Sequence, residues 1–390
     1  MGLFYALLAL FILSGPASAA PDPAVQALVE GVSTDSLRAT VRRLAGFGTR
    51  FVGTDSGRAA GAWIRERLVR EGYAEARFDS FTVTLDRTLL GRRFILDRVR
   101  ARNVVAVRRG VRYPDRYLVL GAHYDSISLS RPDTLSAPDT SSAPGADDNA
   151  TGVSVVLEMA RLLRGVDTDA SVVLVFFDAE ELGLWGSRAY AERARAQGED
   201  VRAMFSIDAL GTRATDLPKA FSIDAVSRSL GVGEEVAQAA LDYTDLVPRN
   251  RAGTGHLEVI SAQGREGCNC SDHQSFIDQG YAGVLVSQYF GAEAVFHSER
   301  DTVGGVDFSL VAGIGRAALA AAVRVAGFPG RSPDFDGDGV ADLSDFFLFA
   351  ARYGTRQGGT GFEARFDLDR DGAVGIEDFF LFAELFGRRY

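Results

Sequence analysis

Apolar positions along this chain change period several times, and each change predicts an element. Between residues 24 and 72 they recur at helical spacing. Leu37, Val41 and Leu44 share one face behind Ser33 or Asp35 as a cap, and Ala60, Trp63, Ile64 and Leu68 share another within Gly57–Glu71. From Ala76 the spacing falls toward two, and Phe78, Phe81 and Val83 predict a strand. Residues 103–107 and 117–120 are short continuous apolar runs, as in strands buried on both faces. The pattern then alternates: helix over 151–163, strand over 172–177, helix over 184–195, strand over 203–207, helix near 234–241, strand over 282–287, and a long helix over 308–325. Such alternation predicts an α/β sheet covered on both faces, in which ligands collect beyond the carboxyl ends of the strands.

The two ends depart from this pattern. Leu3–Leu13 is an apolar run followed by Ala17-Ser18-Ala19, which reads as a signal segment over residues 1–19 with a small-residue cleavage site. An uncleaved N-terminal anchor is the alternative. No later stretch reads as long and apolar enough to span a bilayer, so the mature chain is expected to be exported, secreted or cell-surface associated. Residues 329–333 read as a linker between a domain over 20–328 and a tail over 334–390. The last sixty residues hold twelve Asp and Glu against seven Arg, a composition shift that supports a separate module. They also repeat: Asp334-Phe-Asp-Gly-Asp-Gly339 returns as Asp367-Leu-Asp-Arg-Asp-Gly372, and Asp345-Phe-Phe-Leu-Phe-Ala350 returns as Asp378-Phe-Phe-Leu-Phe-Ala383.

Composition mainly excludes. At 390 residues, with 46% apolar and 24% charged, the chain can bury an ample core. Its net charge of −10 argues against nucleic acid or an anionic membrane as the main partner. Lys219 is the only Lys, which leaves little room for Schiff-base chemistry. Only Cys268 and Cys270 are available for a disulfide, across a very short loop, and without further Cys or a Cys/His pair they do not make a structural zinc site.

Candidate chemistry sits at the predicted strand exits. Glu180 and Glu181 follow a core strand, where two acids are costly unless something uses them. His123 and Asp125, one residue apart, would face the same side of a strand, where Asp125 could orient a ligand imidazole. Asp147 or Asp148 precedes a helix, Asp208 ends a strand, and His297 lies in a late loop. Each has an ordinary explanation: a satisfied core pair, a helix cap, an acidic helix start, a turn residue, a surface loop histidine. Five such motifs in one chain favour a two-metal hydrolase site instead.

His123-Tyr-Asp125, Gly145-Ala-Asp-Asp148, Glu180–Glu181, Asp208 and Phe296-His297 together resemble the M28 metallopeptidases, over roughly residues 35–326. The resemblance implies a three-layer α/β/α domain with a mixed, mostly parallel central sheet. It implies two zinc ions, one held by His123 and Asp208, the other by His297 and Glu181, with Asp148 bridging them. It further implies Glu180 as general base, Asp125 as a supporting catalytic residue, and a cis peptide after Asp148. Some secreted relatives carry a disulfide with three residues between its Cys, so pairing of Cys268 with Cys270 is left open. No protease-associated domain is expected, and His256 and His273 match no ligand position; His273 reads as a core or capping histidine. The expected substrate is a peptide with a free N-terminus, which makes the chain an aminopeptidase. Tyr289, Phe290 and Phe296 are candidate pocket walls, with ordinary core as their alternative. Glutaminyl cyclases and carboxypeptidases share the scaffold; cyclases resemble the chain at His-Tyr-Asp and Glu-Glu but have Gly-Ala-Thr-Asp where Gly-Ala-Asp-Asp stands here. A non-catalytic, scaffold-bound binding protein is a further alternative.

The tail spaces oxygen ligands like calcium loops. Asp334, Asp336, Asp338, the Val340 carbonyl, Asp342 and Asp345 fill the six ligand positions of the first loop, and Asp367, Asp369, Asp371, the Ala373 carbonyl and Asp378 fill five of the second. Up to two Ca2+ are therefore expected. Paired loops each followed by one helix resemble dockerin type I modules, which implies a cohesin-like or cell-surface scaffold partner. Phe346, Phe347 and Phe349 are candidates for packing or docking, with packing expected for at least two of the three.

Overall fold

A computed structural model describes residues 21–89, 91–130, 133–136, 138–249, 261–262, 265–266, 268, 270–289, 295–328, 333–368 and 372–387. The signal segment, most of the 329–333 linker, His256, Phe290, Asp369 and Asp371 lie outside the described residues.

After α1 (Pro23–Glu30), Ser33 caps α2 (Thr34–Ala45), its hydroxyl accepting the Ser36 N–H at 3.2 Å. Leu37, Val41 and Leu44 are fully buried on the face that the spacing predicts. Thr54 caps α3 (Asp55–Arg70) in the same way, and Ala60, Ile64 and Leu68 face inward. The period-two segment becomes β1 (Arg77–Leu89), paired antiparallel with β2 (Arg92–Arg108). Then follow β3 (Tyr113–His123), the short β4 (Thr134–Leu135), a turn over Ala146–Thr151, α4 (Gly152–Leu163), β5 (Ala170–Phe177), α5 (Trp185–Ala196) and β6 (Asp200–Ile207). The domain continues through β7 (Ala220–Ala225), α6 (Leu230–Tyr243), β8 (Val247–Arg249), the two-residue strands β9 (Ser261–Ala262) and β10 (Arg265–Glu266), α7 (His273–Asp278), β11 (Gly283–Gln288) and α8 (Phe308–Ala326).

The main sheet runs β1-β2-β5-β3-β6-β11-β7-β8, with β4 beside β2. Its centre, β5-β3-β6-β11, is parallel throughout, while β1/β2, β2/β5 and β11/β7 are antiparallel. All eight residues of β5 are buried, and residues 172–177 among them form the unbroken apolar run. Because the four central strands point the same way, the segments after His123, Phe177, Ile207 and Gln288 leave from one edge of the sheet. This mixed, mostly parallel α/β architecture fits the expected fold class.

Three expectations need correction. The β3 ladder ends at His123, opposite Phe177, so Asp125 lies beyond the strand and the same-face argument does not apply to it. Strand β7 lies where the sequence pattern predicts no element: its Ser222 and Asp224 interrupt the apolar pattern, although both are buried where β7 pairs with β11. Finally, α8 is 19 residues long and apolar enough to cross a membrane by length and composition. It is instead mostly buried: 78% of its apolar window is packed inside the protein, as for a core helix.

The chain divides into two compact units, Ala27–Pro329 and a second comprising Gly330–Tyr390 with Met1–Gln26. In the second, α9 (Leu343–Ala350) and α10 (Ile376–Glu384) flank a small core of Phe335, Phe349, Phe366, Leu368, Val374 and Phe382. Phe349 is buried and Phe346 packs against this core, whereas Phe347 is 67% exposed. The Asp345 carboxylate, at the start of α9, accepts the N–H groups of Asp336 and Asp342, both at 2.9 Å, and so closes the first acidic loop.

Candidate metal centre

The exits of β3, β5 and β6 bring the first part of a carboxylate–histidine cluster together. His123 is the last residue of β3. Past β5 the backbone turns through a left-handed conformation at Ala179 (φ 59°), and Glu180 and Glu181 follow. Asp208 comes directly after β6. Two loops complete the set. Asp148 sits in the 146–151 turn with a cis peptide to Asn149, and His297 adopts a left-handed conformation (φ 57°) while its carbonyl accepts the Leu129 N–H at 2.8 Å.

Asp148 is the centre of the cluster. Its Oδ1 lies 3.1 Å from His123 Nε2 and its Oδ2 lies 3.1 Å from His297 Nε2. His123 Nε2 is also 3.3 Å from Asp208 Oδ1 and 3.9 Å from Glu180 Oε2, and His297 Nε2 is 2.7 Å from Glu181 Oε2. Asp125 is placed behind these groups. Its Oδ1 lies 3.5 Å from His123 Nδ1, and its two oxygens accept the backbone N–H groups of Glu180 and Glu181 at 3.0 and 3.3 Å. Ser271 donates to Asp208 Oδ2 at 2.6 Å. The structure thus brings His123, Asp125, Asp148, Glu180, Glu181, Asp208 and His297 into one constellation.

Burial sets the electrostatics. Burial alone would lower the His297 imidazole, but Glu181 and Asp148 raise it to about 12. Burial likewise opposes charge on His123, yet Asp208, Glu180, Asp125 and Asp148 raise it well above the usual histidine range. Burial would raise the Asp148 carboxyl, but hydrogen bonds from both histidines hold it far below the usual carboxylate range. Glu181 is raised to about 7, chiefly by burial, and Glu180 is raised well above its usual value for the same reason. In the metal-free protein both imidazoles therefore carry protons between the acids. A cation that takes these ligands must displace those protons, because a ligand imidazole is neutral.

The donor set suits zinc. Imidazole nitrogen and carboxylate oxygen are its preferred hard-side ligands. One ligand atom each from His123, Asp148 and Glu181 lie within 4.8 Å of one another, and Glu181 Oε1 is buried with no hydrogen-bond partner among the described residues. That orphaned oxygen is what a ligand carboxylate leaves when its cation is not counted.

Of the candidate pocket residues, Phe296 is half-buried and packs edge-on to His297 with ring centroids 5.1 Å apart; Tyr289 is half-buried just after β11. Cys268 and Cys270 form a disulfide, which answers the question left open by their spacing. His273 is buried at the start of α7, as expected for a core or capping histidine.

Three supporting residues take roles that the sequence pattern does not give them; for Asp147 it offers only a helix cap. Arg50 is fully buried, with its guanidinium donating to the carbonyls of Tyr124 and Gly145 at 2.6 and 2.9 Å, and burial lowers its pKa to about 10. An Arg between two helices reads as solvent-facing from sequence alone. Asp147 accepts the Gly211 N–H at 2.6 Å and the Thr212 hydroxyl at 2.7 Å, anchoring the segment after Asp208. Asp301, four residues after His297, accepts the backbone N–H groups of Asp147 and Asp148.

Residues 103–322 match the sequence profile of Peptidase family M28. Leucine aminopeptidase 1 of Ajellomyces capsulatus is 26% identical over 296 residues, spanning 73% of this chain and 69% of its own. Among solved structures, a zinc aminopeptidase from Bacillus subtilis superposes with a TM-score of 0.60 at 15% identity, covering 76% of this chain and 96% of that one. Porphyromonas gingivalis glutaminyl cyclase superposes with a TM-score of 0.55 at 22% identity, covering 75% of this chain and 98% of that one. At these identities the two structural likenesses speak for the fold alone.

Proposed function

Since the chain belongs to peptidase family M28, we propose that it is an exported aminopeptidase that removes N-terminal residues from peptides at a two-zinc centre. One observation carries this reading: the Asp148 carboxylate turns one oxygen to His123 and the other to His297, each at 3.1 Å. A carboxylate so placed can serve two cations at once. His123 and Asp208 would hold one, and His297 and Glu181 the other. Zinc bound there supplies a Lewis acid for the scissile carbonyl and lowers the pKa of water. Glu180 is left outside the ligand set as general base. Its Oε2 takes the proton of the attacking water and returns it to the departing amine, and burial, which raises this carboxyl, favours that acceptance. Asp125 holds the backbone of both glutamates and lies 3.5 Å from His123 Nδ1, where it can orient that imidazole.

The leucine aminopeptidase relative supports peptide substrates with a free N-terminus. Ring closure is the second reading, because a glutaminyl cyclase shares this fold. One panel separates them: aminoacyl peptides, N-blocked peptides and a peptide beginning with glutamine. Release of the N-terminal residue from unblocked peptides only is the expected result. Ring closure without release would make the protein a cyclase, C-terminal trimming of blocked peptides a carboxypeptidase, and no reaction a binding protein.

For the tail, we propose calcium binding in the two acidic loops and docking to a cohesin-like or cell-surface partner. Supporting the first, Asp334, Asp336 and Asp345 each offer a carboxylate oxygen within 4.8 Å of the others. Supporting the second, exposed apolar side chains recur at matching positions of both repeats: Leu343 with Ile376, Phe347 with Phe380, and Tyr353 with Phe386. Calcium at 100 times its Kd would add about 2.7 kcal/mol to the folded tail. Chelation with EGTA is then expected to lower the tail's unfolding midpoint by roughly 10–20 °C; an unchanged midpoint would remove calcium from the proposal.

A further inference from the structure

Building on the two-metal reading above, we infer that Asp301 is a positioning residue that couples the two metal positions by locking the bridging Asp148 to the turn that carries His297. Asp301 is 2% exposed, and the buried Arg50 feels its charge. Both of its oxygens are spent on consecutive amides: Oδ1 accepts the Asp147 N–H at 2.8 Å and Oδ2 the Asp148 N–H at 3.0 Å. Its own carbonyl accepts the Ala146 N–H at 3.2 Å, so three successive donors of one turn converge on one residue.

The other ties of that turn run elsewhere: Asp147, Asn149 and Thr151 hydrogen-bond to residues 207–212 at and after the end of β6, and Arg50 donates to the Gly145 carbonyl, so Asp301 is the residue whose hydrogen bonds tie it to the His297 turn. Asp148 and Asn149 are non-helical within it, and no β-ladder reaches it. It begins at Gly145 with φ 52°, where a Cβ would come within 2.5 Å of the Asp148 carbonyl oxygen. The other half of the centre is anchored differently. His123 ends a strand paired on both sides, and Asp208 follows β6 and receives the Ser271 hydroxyl at 2.6 Å. Asp301 also belongs to the His297 turn, its N–H donating to the Ser298 carbonyl at 3.3 Å. A closed circuit results: His297, its turn, the Asp301 carboxylate, the Asp148 amide, and the Asp148 carboxylate back to His297. Cutting it at Asp301 releases the His297 turn from Asp148, while His123, Asp208 and the ties of the Asp148 turn to residues 207–212 stay in place.

In Asp301→Asn one oxygen remains an acceptor, while the new NH2 faces an amide N–H and cannot accept from it. The test is zinc titration of the metal-stripped full-length mature chain, with calcium kept in the buffer, followed by calorimetry and by the visible spectrum of the cobalt(II)-substituted protein. Wild type is expected to take up two equivalents. Asp301→Asn should bind one equivalent within about 3-fold of wild type and the other about 10–100-fold more weakly, with the cobalt band of the second equivalent shifted to higher metal concentration. Asp301→Glu keeps the charge but displaces the carboxylate, and should show the same split; it is read by the same criterion if the Asn variant does not fold. Two wild-type-like affinities, or equal weakening of both equivalents together with a fall in the metal-free unfolding midpoint, would overturn the inference. Uptake of fewer than two equivalents by wild type would instead overturn the two-metal reading on which it rests.

Discussion

Glu180→Gln is expected to lower kcat by about 10²–10⁴-fold, the usual contribution of a positioned general base, with KM and zinc content close to wild type. Glu180 Oε2 is 3.9 Å from His123 Nε2, further than the ligand candidates Asp148 and Asp208, so its loss should leave the cations in place. Gln keeps the shape and the backbone hydrogen bond that its N–H donates to Asp125, but it cannot accept and release the proton of the attacking water. Stability should not fall with activity. Burial raises the Glu180 carboxyl, so its proton is held more tightly in the folded chain than in the unfolded one. The metal-free wild type therefore loses stability as pH rises above about 4.3, and the neutral variant gains relative to it over that range. Steady-state kinetics, zinc analysis and thermal unfolding of one preparation check all three parts. A variant with wild-type kcat would remove Glu180 from the mechanism.

Asp148→Asn is expected to have the larger effect on the centre as a whole. Each oxygen of Asp148 faces a different imidazole, and among the described residues it alone pairs with both. The amide removes the charge between two cations and offers only one oxygen. Zinc uptake should weaken by more than about 100-fold, the upper end for residues that merely support ligands, and peptidase activity should fall to background. The metal-free protein should suffer too. Losing one partner of a buried charged pair costs about 3–5 kcal/mol. The sign with pH follows from His297, which the acids around it raise to about 12 despite burial. The stabilisation from its proton is fully present below about pH 6.5, the unfolded value, and is lost as pH climbs toward 12. The gap between wild type and variant, measured by denaturant titration without metal, should therefore be widest in mild acid and narrow in alkali. An Asp148→Asn protein that binds two zinc ions as tightly as wild type would show that the bridge is not where the geometry puts it.

Much of this architecture was legible in the chain, for physical reasons that differ by element. Strand β5 announces itself because it is buried on both faces, which favours the unbroken apolar run over 172–177. Glu180 and Glu181 are conspicuous because acids at the exit of such a strand need a use. Helices α2 and α3 carry caps and apolar faces that local physics fixes without tertiary help. What stayed hidden depends on tertiary context. Strand β7 is read poorly because burial of Ser222 and Asp224 follows from its place beside β11, not from its own pattern. Asp125 was expected to act from a strand, yet it acts from the loop beyond β3, where it can reach two amides of the Glu180 turn. Arg50 and Asp301 are charged residues in loops, and sequence offers no reason to bury them. Only the folded chain shows Arg50 capping carbonyls and Asp301 gathering amides. Ligand types thus declare themselves in sequence, whereas the groups that aim them are found by following each buried charge to its partners.

The central claim is that six distant side chains meet around two cations. Anomalous diffraction at the zinc edge, from crystals of the zinc-loaded chain, tests it most directly. Two peaks are expected, one in bonding contact with His123 and Asp208, the other with His297 and Glu181, with Asp148 touching both and Glu180 touching neither. A single peak, or peaks away from these residues, would contradict the account.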